Sequence, residues 1–207
     1  MENRFEKNVF INCPFDDEYF NLLRPLLCTI LYCGYNPRIA LERIDSGEVR
    51  LEKIKQLIVD SLISIHDLSK IRSVDKDEYY RLNMPFEIGL DLGCKLYHSD
   101  PKFRNKRTLI LVKEPYSHQI AVSDLSGFDV ACHQGKEDVL VREVRNVFSG
   151  LITLGLNSGT TIWDDYNRFY ADFYLKRKSQ GFKDIDINKM PISEFLSFIE
   201  LWLINQP

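Results

Sequence analysis

The chain has 207 residues, 44 % of them hydrophobic and 28 % charged, a balance that supports one domain, or one with an appendage, and excludes disordered and collagen-like chains. Lysine and arginine number 27 against 30 acids, a formal charge of −3, so no chain-wide attraction draws it to nucleic acid or anionic lipid. No stretch reaches the apolar length of a membrane span and Met1–Lys7 lacks a signal-peptide core, so a cytoplasmic protein is expected, its scattered Cys13, Cys28, Cys33, Cys94 and Cys132 reduced and mostly buried.

The chain alternates short apolar runs with longer periodic ones. Asn8–Asn12 reads as a strand closed by Cys13-Pro14-Phe15-Asp16-Asp17, where a proline and paired acids favour a strand end and a helix start. Asp17 to about Cys33 has helical apolar spacing through Phe20, Leu23, Leu26, Leu27, Ile30 and Leu31. Gly34 stands where a helix is commonly terminated, and Pro25 implies a late start or a kink. Tyr35–Leu41 reads as a second strand, Val49–Ser61 as a second helix and Leu62–Asp67 as a third strand ending on Asp67. A charged segment, Ser69–Arg81, is expected as a mobile loop outside the core, able to close over a ligand. Met84 to about Leu96 reads as a helix opened by Asn83 and Pro85, and Thr108–Val112 as a strong strand. A short helix near His118–Ser126, a strand near Phe128–Cys132 and a helix from Lys136 to Leu154 complete the series.

Strands separated by helices are βαβ units, so the expected fold is α/β: a five-stranded parallel sheet in a flavodoxin-like or TIR-like three-layer sandwich. The expected division is an α/β domain over 1–155 and a C-terminal helical extension over 156–207. In the extension, Trp163, Tyr166, Tyr170, Phe173 and Tyr174 form an aromatic stripe and Ser193–Ile204 an amphipathic helix. The stripe fits either packing on the main domain or an oligomer interface.

Ligands of such sheets bind outside the carboxyl ends of the strands, where strand order reverses. Asp67 ends a central strand at that edge, and Glu87 is expected in the first turn of the helix starting there, where an acid would also gain from the helix dipole. Gly89 and Gly93 are costly inside a helix, so close packing or a ligand's approach is expected to compensate. Asn12, Pro14 and Phe15 would bring backbone donors and a ring to the same rim, suited to a nucleobase or ribose. His66 points away from Asp67 if the strand is regular, as a core histidine. Asp124, Gly127 and Asp129 read as shaping a turn. No metal-binding, Walker A, GxGxxG or GxSxG pattern is present.

Ile65-x-Asp67-Leu68 followed by Asn83-x-x-x-Glu87-x-Gly89, with Pro14-Phe15 after the first strand, resembles the signature of nucleoside 2-deoxyribosyltransferase-like and bacterial TIR-like nucleotide-binding proteins over about residues 8–150. The resemblance implies cleavage of an N-glycosidic bond, with Glu87 at the catalytic glutamate and Asp67 and Asn83 positioning the ligand. It also implies a homo-oligomer whose sites are completed by a neighbouring subunit, and a role in bacterial antiphage defence. Arg81 stands where deoxyribosyltransferases carry a second acid, and Asn83 where TIR NAD hydrolases place tryptophan. In NAD the nicotinamide is already a cationic leaving group, which needs no proton, whereas a purine would need an acid. The expected substrate is therefore NAD or a related nucleotide, with no cofactor and with Arg81, Arg50 or Lys70 available to its phosphates. A non-catalytic nucleotide sensor and a deoxyribosyltransferase are the alternatives.

Overall fold

In a computed structural model the described residues are 5–42, 45–71, 82–152 and 155–205. Five parallel strands form one sheet in the order β2-β1-β3-β4-β5: β1 (Asn8–Asn12), β2 (Asn36–Ile39), β3 (Ile63–Asp67), β4 (Arg107–Val112) and β5 (Val130–Cys132). Every residue of β1 and β3 is buried, as expected of parallel strands covered on both faces. The α/β expectation is therefore met, and the order reverses between β1 and β3, which places the switch-point crevice beside Asn12 and Asp67.

Alternate strand residues feed two layers. Val9, Ile11, Ile63, Ile65, Leu109 and Leu111 join the large core cluster beneath α1 (Phe20–Tyr32) and α5 (Glu137–Ser149). Phe10 packs with Ile54, Leu57 and Ile58 of α2 (Arg50–Val59). Ile110 and Val112 pack with Met84 and Ile88 of α3 (Asn83–Tyr97).

Several ends differ from the periodicity. The first helix begins at Phe20, because Asp16 turns the chain through bonds from the Tyr19 N–H to its carbonyl and carboxylate. Pro25 lies inside it, and the carbonyl deprived of a donor belongs to exposed Asn21. Gly34, at φ +76°, completes a Schellman ending: its N–H donates to Leu31 and that of Tyr35 to Ile30. Strand β2 stops at Ile39, followed by a 3-10 turn at Ala40–Glu42. The short α4 (Ser117–Ala121) follows β4, and α5 ends at Ser149 rather than Leu154. The expected mobile loop lies largely outside the described residues, which omit 72–81.

The C-terminal extension contains α6 (Gly159–Ser179), α7 (Asp184–Asn188) and α8 (Ile192–Ile204). Gly155-Leu156-Asn157-Ser158-Gly159 reads as a linker, and within it Ser158 caps α6 by accepting from the Thr161 N–H at 3.1 Å. Tyr166, Phe169 and Phe173 are buried in the same cluster as α1, with Trp163, Tyr170 and Tyr174 packed against it. Arg24 of α1 donates to the carbonyls of Ile187 and Asn188 and to the Tyr170 hydroxyl, which clamps the extension onto the sheet layer. Among the described residues no helix is long and apolar enough to cross a membrane.

Candidate functional site

Glu87 is held at the carboxyl edge by three attachments of α3. The Asn12 amide nitrogen donates to the Met84 carbonyl at 2.9 Å and approaches His66 Nδ1 at 3.0 Å. His66 Nε2 lies 3.3 Å from Asp91 on the same helix. Because the Asn12 nitrogen donates to Met84, the Nδ1 facing it accepts, so the His66 proton sits on Nε2 and points at Asp91. Lys106 Nζ stands 3.1 Å from Asp91. The sheet thus fixes both the rotation and the height of α3.

Helix α3 begins at Asn83, and its first turn contains no acid. Glu87 therefore lies in the second turn, where backbone N–H groups already have helical partners, and the expected first-turn position with its gain from the helix dipole is corrected. Its side chain is 6 % exposed and its Oε1 is 3.7 Å from the half-exposed Arg50 guanidinium. Burial pushes its pKa up to about 7, and Arg50 opposes that rise only in part. The Arg50 guanidinium also stands over the Phe15 ring, 5.6 Å from its centroid. Glu87, Arg50 and Phe15 thus come together from α3, α2 and the loop after β1.

Asp67 faces the other layer. It accepts from the Tyr19 hydroxyl at 2.5 Å, from the Ser69 N–H at 2.7 Å and from the Ser69 hydroxyl, while His133 Nε2 lies 3.2 Å away. His133 Nδ1 accepts from the Gly135 N–H at 3.0 Å, which puts the ring proton on Nε2, toward Asp67 and Ser69. The Ser69–His133 contact at 2.7 Å is therefore no activated nucleophile, since the histidine nitrogen donates rather than accepts. A cleft of about 340 Å³ opens on this side, lined by Tyr19, Ser69, Lys70, Lys113, Ser117 and His133. Lys70 pairs there with Glu18 at 2.6 Å.

Cys13, just after β1, is fully buried, its thiol pushed well up by burial and then by Asp67, Glu87 and Asp16. The two acids share the switch-point rim but project to opposite faces, a separation implied by strand alternation once Asp67 is placed opposite His66.

The other expected residues divide. Pro14 is buried, and Asn12 uses its nitrogen to hold α3, leaving a buried Oδ1 without a partner. Asn83 and Gly89 are exposed on α3. A Cβ on Gly89 or Gly93 would meet nothing within 4 Å, so the expected close packing at these glycines is not found. Arg81 lies outside the described residues. Tyr19 and His133 carried no functional signal in the sequence, because only the fold brings segments so far apart to one carboxylate, whereas Ser69 reaches Asp67 locally, two residues on. No protein-family model matches this chain, and no curated protein matches it.

Proposed function

We propose that this protein cleaves the N-glycosidic bond of a nucleotide, the nicotinamide–ribose bond of NAD, with Glu87 as the carboxylate that stabilises the ribosyl cation. The observation that carries the reading is a buried carboxylate with a pKa of about 7 at the switch-point rim, outside any capping position and only loosely paired with Arg50. Desolvation and a charge partner that together leave an acid poised near neutrality are features concentrated at functional sites.

The chemistry needs few parts. When the C1′–N bond breaks, its electron pair neutralises the pyridinium nitrogen, so nicotinamide departs without a proton. The cation left at C1′ is stabilised or captured by ionised Glu87, and water then adds at C1′ with loss of a proton. Arg50, half exposed beside Glu87 and over the Phe15 ring, offers a guanidinium to a phosphate, and the ring a flat apolar wall to the base or ribose. Asp67, already surrounded by Tyr19, Ser69 and His133, is poorly suited to protonating a leaving base, which favours a leaving group that needs no acid.

The test is incubation of wild type and Glu87→Ala with NAD and with a panel of nucleosides, followed by chromatography for released base. Nicotinamide release is expected from wild type, lowered about 10²-fold or more in the variant. The rate should rise with pH through about 7, as Glu87 loses its proton. A rate that falls over that range, on a purine nucleoside, would instead make Glu87 a proton donor and the protein a nucleoside-cleaving enzyme. Absence of turnover with a nucleotide-dependent rise in Tm would make it a sensor.

A further inference from the structure

Far along α6, the guanidinium of Arg177 is in an unusual position. The residue is 8 % exposed, its Nε is buried without a hydrogen-bond partner, and no described carboxylate lies within ion-pair distance of it. Rings flank it: the guanidinium carbon stands 4.2 Å from the Phe198 centroid and 5.8 Å from that of Phe182. A guanidinium stays charged throughout the physiological range, and burying even its Nε without a hydrogen-bond partner or counter-ion is costly. Ring faces offset only part of that cost.

Arg177 lines a groove of about 210 Å³ between α6 and α8, whose walls are Phe169, Phe173, Phe198, Leu201 and Trp202. Lys176 adds a second cation, and Asp172 lies on the rim without bonding to Arg177. An apolar slot with a partly buried guanidinium that has no carboxylate partner is complementary to a molecule with a hydrophobic body and a single carboxylate. We propose that the α6–α8 groove is a binding site for small amphipathic monocarboxylates, aliphatic or aromatic, whose carboxylate pairs with Arg177 while the body lies against Phe198, Leu201 and Trp202. The site is distinct from the Glu87 rim and independent of any glycosidase activity.

Octanoate and naphthoate, with octanol and naphthol as uncharged counterparts, test this by calorimetry on the full chain. The acids should bind wild type at least about tenfold more tightly than the alcohols, the margin of a charge-assisted bond. Arg177→Met should remove that preference while leaving the alcohols' affinity, because the walls are intact. Leu201→Trp, at a position 56 % exposed in wild type, should fill the slot and weaken every probe. Cooperative thermal unfolding of both variants excludes a folding defect. Equal affinity for acid and alcohol, no binding of either, or an acid preference that survives Arg177→Met would each overturn the proposal. So would a dimer, seen by light scattering, that Arg177→Met dissociates, since a second copy would then occupy the groove.

Discussion

A buried acid that titrates near neutrality leaves a signature in stability as well as in rate. Glu87 has a folded pKa of about 7 against an ordinary value of 4.5. The folded protein therefore holds this proton more tightly than the unfolded chain does. That contribution to stability is full below about pH 4.5 and is lost as pH rises through about 7. Glu87→Gln should stabilise the fold by about 1–3 kcal/mol at pH 8 and by little at pH 4, read from thermal unfolding at the two pH values. A loss of activity with a gain in stability would be the trade expected of a functional residue. Two glycines give a paired prediction. Gly89 is exposed on α3 with open space around it, so Gly89→Ala should raise stability by up to about 1 kcal/mol. Gly159, at the start of α6, would put a Cβ 3.0 Å from the Arg142 Cα, so Gly159→Ala should lower Tm by forcing α6 away from α5.

Among the elements, α3 is anchored by polar groups rather than by a long apolar face. Buried Lys106 donates to the Ile58 carbonyl at 2.8 Å and to that of Ser61, satisfying the carboxyl end of α2, and it reaches Asp91 of α3. Burial alone would raise the Asp91 pKa, but His66 and Lys106 hold it at about 2. This group's contribution is present above its ordinary value of 3.8 and disappears as pH falls through about 2, so acid should loosen α3 within that window. Lys106→Met removes a partner and leaves a buried carboxylate, at an expected cost of about 3 kcal/mol in urea unfolding. The double substitution Lys106→Met, Asp91→Asn should recover more than half of that loss, because no charge then remains buried there.

At the scale of the whole molecule, α1 joins the parts. Nine consecutive residues, Leu22–Ile30, are buried, and a helix buried on all sides needs partners on all sides. The sheet and α5 cover it in part, and α6 and α8 share its core cluster, with Phe169, Phe173, Phe195 and Ile199 in the same apolar body. The boundary at residue 155 therefore separates a stretch of sequence from its neighbour, not one core from another. A chain ending at 155 should expose this face, bind a hydrophobic dye and lose cooperative unfolding, as measured by dye fluorescence and calorimetry. Independent folding with an unchanged Tm would contradict this account.

The order of strands and helices was readable from the chain because period-two and period-3.6 apolar patterns are local properties, as Thr108–Val112 and Leu23–Leu31 show. The same locality placed Glu87 and Asp67 near one edge, since a strand end and the following helix start must meet there. Tertiary structure decided what those acids touch. Asp67 is enclosed by Tyr19 and His133, whereas Glu87 is desolvated beside Arg50. Contacts between residues so far apart in the chain depend on how layers pack, and no spacing rule encodes them. The unpaired Arg177 was hidden for the same reason: within Lys176-Arg177-Lys178 it reads as a solvated charge, and only the packing of α8 over α6 turns it into a buried one.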